Sequence, residues 1–411
     1  MKDISNTGKE TNNKAVLFAL CALCSIFCGF VSTIMSVYLP VTVKELLGNV
    51  SEQRLGEVSA YIGAMYLYGW MIGGFLFGFA GDKIGRVKAF VISVLIYSVF
   101  TILISFTHNW IMLVTFRFIS GIGVGGTIVV STILVAEVWP QKSRAIALGI
   151  LAVTFPIGII SAGIVNNAFT DWRSAFTLAA VPLLAGLVSL SLKETDQWRE
   201  MQSLGQDVKA KKNDVFHREN RRNLLTGSII FGTMLIGLWA IFSWMPTWIQ
   251  SLFSDANAGQ KERGLSMILL GSGGIIGGAL SGWFVNALGN RKTIMITFAG
   301  SFIMCFILFK TNTAFSSVIY MEIALLALFF GISQGALSAY LPSLFPTHIR
   351  STATGFCFNI GRLATATVVF FVGALVTALG GYGSAVLTFS ITFLIGLVVT
   401  FFSSDAEPHL N

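Results

Sequence analysis

Twelve long apolar runs divide the sequence and constrain its fold more than any other feature. A run of about 18 or more mainly apolar residues can cross a bilayer as a helix, which satisfies every backbone hydrogen bond internally. Only 11% of the residues are charged, whereas soluble domains contain about 25%. The sequence therefore predicts an all-α polytopic membrane protein with twelve transmembrane helices, at residues 15–39, 56–80, 88–107, 110–136, 145–168, 173–192, 223–249, 264–288, 293–311, 316–341, 351–377 and 384–403.

An internal repeat indicates that the chain has two related halves. Residues 78–88 read G-F-A-G-D-K-I-G-R-V-K, and residues 282–292 repeat the pattern as G-W-F-V-N-A-L-G-N-R-K. Each stretch lies between two apolar runs, and the two stretches begin 204 residues apart. Pro40 and Pro246 are separated by nearly the same distance along the chain, 206 residues. Repeats of this kind are typical of transporters built by duplication. We expect two pseudo-symmetric six-helix bundles with a cavity between them.

The distribution of polar residues predicts the domains and the orientation. Most of the 27 lysines and arginines fall in the tails and in loops on one side, which the positive-inside rule assigns to the cytoplasm. Both termini are therefore predicted to be cytoplasmic, in a multi-pass protein of the cell inner (plasma) membrane. The linker has alternating charge and is predicted to be either an amphipathic surface helix or a solvated tether. The predicted parts are a tail (1–14), the first bundle (15–192), a linker (193–222), the second bundle (223–403) and a second tail (404–411).

Several function classes are excluded by what the sequence contains. The net charge of +8 follows from membrane topology, so it does not predict nucleic-acid binding. The five cysteines lie in apolar runs and the four histidines lie in loops or the tail, so neither set predicts a metal centre. No phosphate-binding loop, HExxH pair or nucleophile elbow occurs. We expect no enzyme activity, no catalytic residues and no cofactor.

Several motifs carry a resemblance to a known family. The fourth run reads R-F-I-S-G-I-G-V-G-G over residues 117–126 and continues into E-V-W-P-Q-K-S-R over 137–144. The second half has the matching S-L-F-P-T-H-I-R over 343–350, and Asp171-Trp172-Arg173 precedes the sixth run. With these motifs and the stretch at 78–88, the chain resembles the major facilitator superfamily over nearly its whole length. The resemblance implies secondary active transport by alternating access through the lipid bilayer.

Two further motifs resemble one branch of that superfamily. Glu194-Thr195-x-x-Trp198 and Asn359-I-Gly361-Arg362 are similar to the branch of sugar porters, organic-ion transporters, and proton symporters of aromatic acids and monocarboxylates. Sugar porters typically have glutamines in the fifth and seventh helices, and residues 149–167 and 224–248 contain none. Aromatic-acid symporters usually have Gly-Phe-Asp in the first helix, where this chain reads Gly29-Phe30-Val31.

The resemblance and the charges inside the membrane together predict the substrate class. The leading hypothesis is a small organic anion, namely a carboxylate, with a proton implied as the coupling ion by the resemblance alone. Transport of sugars or neutral metabolites and multidrug export remain as alternatives. A receptor without transport activity is a further alternative of a different class.

Two arginines inside predicted helices are the main candidates for the substrate site. A charge at the centre of a helix in a bilayer costs at least about 2.5–3.5 kcal/mol unless it faces a polar cavity or a partner. Arg362 is predicted near the midplane, where its guanidinium can fork onto a carboxylate or pair with helix carbonyls, Glu322 or Glu137. Arg117 is predicted to have either a gating or a substrate role. The other residues predicted to line the cavity are Asn359, Gln334, Tyr68, Tyr340 and Trp239, with Ser32, Ser36, Tyr61, Thr154 and Ser243.

Residues near the predicted cytoplasmic mouth are expected to control gating. Opposite charges at helix ends there can latch the two halves together, and glycines allow close approach and tight turning. In the second half Asn286 replaces the acid and Ser343 replaces the glutamate, so we expect a weaker latch in that half. The predicted gating residues are Gly78, Asp82, Gly85, Arg86, Glu137, Arg144 and Arg350.

Overall fold

The computed structural model describes residues 14–48, 50–203, 216–253, 258–346 and 349–403, and every regular element within them is a helix. The predicted tails up to residue 13 and from residue 404, and residues 204–215 of the predicted linker, lie outside the described residues.

The first half contains six spans. The first five are α1 (Lys14–Leu47), α2 (Glu52–Ile84), α3 (Arg86–Ile104), α4 (Trp110–Val138) and α5 (Arg144–Ala168). The sixth span consists of α6 (Trp172–Thr177), α7 (Ala180–Val188) and a 3-10 turn (Ser189–Ser191). A short helix, α8 (Asp196–Ser203), follows within the predicted linker.

The second half also contains six spans, and here a break follows the fifth span instead of lying within the sixth. Its helices are α9 (Arg218–Ser251), α10 (Gln260–Leu288), α11 (Asn290–Thr311), α12 (Val318–Ser343), α13 (Arg350–Phe370), α14 (Val372–Ala378) and α15 (Tyr382–Phe402). Among the described residues, twelve spans are long and apolar enough to cross a membrane, which confirms the predicted number. The ends of α1, α2 and α9 extend beyond the predicted apolar runs because a helix can continue into the polar layer, where hydrophobicity gives no signal.

The Asp171-Trp172-Arg173 motif fixes the start of the sixth span. Asp171 accepts hydrogen bonds from the Ser174 hydroxyl at 2.6 Å and from the amides of Ser174 and Arg173 at 3.0 and 3.2 Å. These hydrogen bonds lower the pKa of Asp171, and the bond from the Ser174 hydroxyl has the largest effect. Trp172 Nε1 and the Arg173 guanidinium both bind the Glu45 carboxylate at the end of α1. The motif therefore holds α6 against α1.

Glycines bring the helices within each half into close contact, and they do so in the same way in both halves. A Cβ added at Gly121 of α4 would lie 2.3 Å from the Tyr66 carbonyl oxygen of α2. In the corresponding pair of the second half, a Cβ added at Gly277 of α10 would lie 2.3 Å from the Leu328 carbonyl oxygen of α12. Only glycine permits this backbone approach.

The two bundles are joined on the side away from the chain termini. Asn166 of α5 and Gln260 of α10 exchange hydrogen bonds between their side chains and backbone carbonyls at 2.6 and 2.7 Å. One turn away, a Cβ added at Gly163 would lie 2.4 Å from the Gly264 carbonyl oxygen. The Tyr68 hydroxyl of α2 lies 2.8 Å from the Thr367 hydroxyl of α13.

Helices α5 and α10 separate toward the side that carries the termini. Gly264, Gly271 and Gly278 are spaced by seven residues on one face of α10, and an added Cβ would contact α5 at the first two but no described atom within 4 Å at Gly278. Gly149, on the face of α5 that carries Gly163, likewise has no described neighbour within that distance. The described state is therefore closed on the far side and open toward the termini.

Candidate functional site

Aromatic side chains from both bundles meet where α2, α5 and α9 come together. The Trp70 ring centroid lies 5.3 Å from that of Trp239 and 5.6 Å from that of Phe155, and the Phe155 and Trp239 centroids are 6.5 Å apart. We call Trp70, Phe155 and Trp239 the central aromatic group. Such rings provide flat apolar surfaces for a planar ligand.

Arg362 of α13 lies beside this group. Its Cζ is 5.9 Å from the Trp70 ring centroid, within cation–π range, and its Nη1 is 3.4 Å from Asn359 Oδ1, one turn earlier. A Cβ added at Gly74 would lie 3.9 Å from the same Asn359 oxygen. This face of α13 is therefore directed at α2 of the other bundle.

The Arg362 guanidinium has no carboxylate within 4.0 Å among the described residues. Glu322, one expected partner, accepts a hydrogen bond from Asn312 Nδ2 at 2.7 Å, and Glu137, the other, binds Arg86 at 3.0 Å. The predicted pairing of Arg362 with either acid is thus wrong for this state. Arg362, a residue of intermediate exposure, can bind an external carboxylate beside the aromatic rings.

Arg117 of α4 occupies a separate, more deeply buried position. The residue is 2% exposed, its Nη1 donates to the Val31 carbonyl oxygen at 2.8 Å, and its Cζ lies 3.7 Å from the Tyr66 ring centroid. Its Nε has no hydrogen-bond partner. The Tyr66 hydroxyl in turn lies 2.6 Å from the Ser32 hydroxyl.

A small cavity of about 20 Å³ adjoins Arg117. This volume is about that of one water molecule. We call this cavity the Arg117 pocket. The lining residues with polar side-chain atoms are Arg117, Ser32, Ser36, Ser59, Tyr66, Trp239, Ser243 and Trp244.

The remaining predicted cavity residues fall in different places. Tyr68 makes the contact with Thr367 between the bundles, and the Tyr61 ring lies 5.0 Å from that of Phe370. Tyr340 is fully buried, and its hydroxyl donates to Ser403 Oγ at 2.9 Å near the end of α15, so it packs helices together near the termini. Gln334 is exposed, and its side chain makes no hydrogen bond to a described residue. Of these two residues, Tyr340 is not brought to the central aromatic group.

Sequence reasoning missed Trp70, Phe155 and Tyr66. Tryptophan in membrane proteins concentrates at the two interfaces, so Trp70, far from both ends of its predicted helix, carried a usable signal. Phe155 had no such signal among 35 phenylalanines.

Three of the predicted gating residues, Asp82, Arg86 and Glu137, form an ionic cluster at the ends of α2, α3 and α4. Arg86 Nε binds Glu137 Oε1 at 3.0 Å, its Nη1 binds the Asp82 carboxylate, and Glu137 Oε2 accepts from the Thr195 hydroxyl at 2.6 Å. Trp198 Nε1 of α8 donates to the Asp82 carbonyl oxygen at 3.0 Å. The cluster lies within the first bundle and the start of the linker, so in this open state it does not latch the two halves together as expected, because the bundles are separated on this side.

The turn between α2 and α3 is closed by a carboxylate. Glu194 accepts from the amides of Val87 and Lys88 at 3.0 and 3.1 Å, a favourable place for an anion at a helix N-terminus. Gly85 has a φ of +110°, and a Cβ added there would lie 2.4 Å from Glu194 Oε1. Gly289, the equivalent in the second half, has a φ of +82° but no described neighbour within 4 Å of an added Cβ.

The second half lacks the carboxylates of this cluster. Arg291 Nε donates to the Thr400 carbonyl oxygen at 3.0 Å. Arg144 and Arg350 are equivalent: their Nε atoms lie 3.4 and 3.2 Å from the carbonyl oxygens of Trp139 and Phe345, five residues earlier in each case. A Cβ added at Gly78 would only touch the Val129 side chain at 3.8 Å.

Comparisons with known proteins agree with this architecture. The family model described as Major Facilitator Superfamily matches residues 21–369. The cis,cis-muconate transport protein of Acinetobacter baylyi is 27% identical, over 98% of this chain and 97% of its own length. The benzoate transport protein of the same organism is 24% identical, over 95% of this chain and 89% of its own. The inward open structure of the xylose transporter XylE from E. coli has a TM-score of 0.80 at 17% identity, covering 96% of this chain and 97% of that chain, a likeness of fold alone.

Proposed function

The chain belongs to the Major Facilitator Superfamily, and from that premise we propose that it carries a small aromatic or unsaturated carboxylate across the membrane by alternating access. It is a multi-pass inner-membrane transport protein and not an enzyme. Two of the similar proteins are transporters of organic acids by name, one of cis,cis-muconate and one of benzoate. Their names support a carboxylate as the substrate class.

One observation carries the proposal most: Arg362 has no carboxylate partner among the described residues, and its Cζ lies 5.9 Å from the Trp70 ring centroid. A guanidinium inside the membrane binds a planar carboxylate through two parallel hydrogen bonds. The central aromatic group offers stacking surfaces to the body of the same molecule. An organic anion with a flat apolar body satisfies both features at once.

Uptake into proteoliposomes tests the proposal. We expect the purified protein to take up radiolabelled benzoate or muconate, and Arg362→Gln to lower uptake at limiting substrate by about tenfold or more, because one charge-assisted contact is lost. Arg291→Gln is the matched control, since Arg291 binds the end of α15 and not the site. Uptake of xylose but neither acid, or full activity of Arg362→Gln, would contradict the proposal.

We propose further that both termini are cytoplasmic and that the described state opens inward. The excess of Lys and Arg on the side of the termini supports this orientation. Substrate then enters when the contacts of α5 with α10 and of α2 with α13 separate, and it leaves toward the termini.

We also propose that a proton accompanies the substrate, as the family resemblance implies. In proteoliposomes, an inward proton gradient should then drive accumulation of the acid above its external concentration. The proposal would be wrong if the pH gradient had no effect on accumulation and a membrane potential alone drove it equally well. Transport would then be electrogenic without a coupled proton.

A further inference from the structure

Arg117 is a buried charge for which the described protein provides no counter-ion. It is 2% exposed. Within the described part of the chain its Nη1 donates to a backbone carbonyl oxygen at 2.8 Å, and its Nε has no hydrogen-bond partner. No acidic side chain lies within 4.0 Å of it among the described residues. An unpaired charge at such a depth points to a pathway or ligand role.

The Arg117 pocket and the central aromatic group are continuous. Trp239 belongs to both. On α2, the ring centroids of Tyr66 and Trp70 are 6.1 Å apart, one helical turn from each other. The Arg117 Cζ lies over the first ring at 3.7 Å, and the Arg362 Cζ lies over the second at 5.9 Å. Two guanidinium groups therefore flank one aromatic pair, and neither has a carboxylate partner in the segments that the structure describes.

The remaining lining of the pocket suits an anion. Ser36, Ser59 and Ser243 add hydroxyl donors around Arg117, and the described lining contains no carboxylate. The Ser32 hydroxyl already donates to the Cys28 carbonyl oxygen at 2.6 Å. A second carboxylate there would receive the unpartnered Nε and complete the hydrogen bonds that Arg117 lacks.

We propose that the Arg117 pocket is a second carboxylate subsite and that the substrate is a planar dicarboxylate held between Arg117 and Arg362. This inference rests on the proposed function and narrows its substrate class. In the described state the pocket holds about 20 Å³, too little for a carboxylate. The second carboxylate therefore occupies it only when the far side is open. Closure on the far side displaces this carboxylate from Arg117 and leaves the substrate on Arg362, from which it is released.

A matched pair of ligands tests the inference. trans,trans-Muconate and sorbate share one six-carbon diene skeleton, and sorbate has a methyl group where muconate has its second carboxylate. Dissociation constants come from thermal stabilisation of the purified full-length protein at increasing ligand concentration. We expect muconate to bind about tenfold or more tightly than sorbate, since one charge-assisted contact is added.

Variants assign that preference to a residue. Arg117→Gln should reduce the ratio of the two dissociation constants to about one, Arg117→Lys should give an intermediate ratio, and Arg291→Gln should keep the wild-type ratio. If Arg117→Gln does not fold, the ratios of the two dissociation constants for the wild type and for Arg117→Lys still test the inference. Equal binding of both ligands by the wild type, or a ratio unchanged in Arg117→Gln or Arg117→Lys, would overturn the inference and leave the proposed function standing. If neither ligand nor benzoate stabilises the wild type, the proposed function itself fails.

Discussion

Arg362 is the residue on which the proposed chemistry depends. A lysine in its place separates the contribution of the positive charge from that of the planar guanidinium. Arg362→Lys keeps the positive charge but removes the planar fork that matches a carboxylate. We expect the KM for benzoate uptake to rise about tenfold or more. Thermal stability should change little, because among the described residues Arg362 makes a single long hydrogen bond, of 3.4 Å. The same substitution at Arg291 should leave the KM unchanged. An unchanged KM in Arg362→Lys would mean that the arginine is not the carboxylate ligand.

Gly85 and Gly289 provide a matched pair for a second prediction at this scale. Both have positive φ angles, which cost a side-chain-bearing residue about 1–3 kcal/mol, but only Gly85 lies against Glu194. Gly85→Ala should lower the melting temperature more than Gly289→Ala, because the added methyl also displaces the carboxylate that caps α3. Equal losses in a thermal unfolding assay would show that this cap contributes little.

Individual site residues were predicted from the sequence only where they differed in polarity from the apolar run around them. Arg117 and Arg362 stood out as charges within apolar runs. Phe155 did not, because its role follows from contacts between bundles that leave no trace in its neighbours along the chain. Tyr340 shows the reverse error: an aromatic residue with a polar end suggested a cavity, but its hydroxyl is satisfied by Ser403 within the helix packing.

At the scale of elements, the ionic cluster ties the ends of α2, α3 and α4 through two unequal ion pairs. The side chains of Arg86 and Glu137 are 8% and 12% exposed, whereas that of Asp82 is 62% exposed. Removing one partner of a buried pair costs about 3–5 kcal/mol, and an exposed pair contributes about 0–1 kcal/mol. Glu137→Gln should therefore destabilise the protein more than Asp82→Asn in a thermal unfolding assay. The opposite order would show that Asp82 is the main partner of Arg86.

The weaker latch in the second half, expected from Asn286 and Ser343, stays a prediction about gating. The second half has Asn286 and Ser343 where the first half has Asp82 and Glu137, so neither of these positions offers a carboxylate to lose. Asp82→Asn should therefore change the transport rate more than Asn286→Asp. Equal effects of the two substitutions on initial uptake rates would contradict this asymmetry.

The spans were predictable because their length and apolarity are local properties of the sequence. The break between α6 and α7 near Leu178 and the break after Phe370 were not predicted, although each had a signal nearby. Pro182 cannot donate a hydrogen bond to the Leu178 carbonyl four residues earlier, and Gly373, a weak helix former, follows Phe370 by three residues. The linker allowed either a helix or a tether. The structure gives a short helix, α8, whose Trp198 is held by the Asp82 carbonyl.

At the scale of the whole molecule, the closed side predicts a conformational lock. Replacing Asn166 and Gln260 with cysteine should allow a cross-link across α5 and α10, because these residues exchange hydrogen bonds of 2.6 and 2.7 Å. The cross-link should stop uptake, and reduction should restore it. Cysteines at Gly149 and Gly278, which lack described neighbours, are the matched control and should not cross-link in this state. Uptake at the normal rate by the cross-linked protein would contradict alternating access through this contact.

The pairing of two six-helix bundles followed from the repeat along the sequence, but the conformational state did not. One sequence serves every state of a transport cycle, and such states differ by only a few kcal/mol. The separation of Gly149 and Gly278 could be found only in three dimensions.

The most direct test of the central claim, that Arg362 binds a carboxylate, is thermal stabilisation of the purified protein by benzoate, benzamide and xylose. We predict that benzoate raises the melting temperature of the wild type and not of Arg362→Ala, and that the two neutral ligands have no effect on either. Stabilisation by benzamide or xylose alone, or equal stabilisation of Arg362→Ala by benzoate, would contradict it.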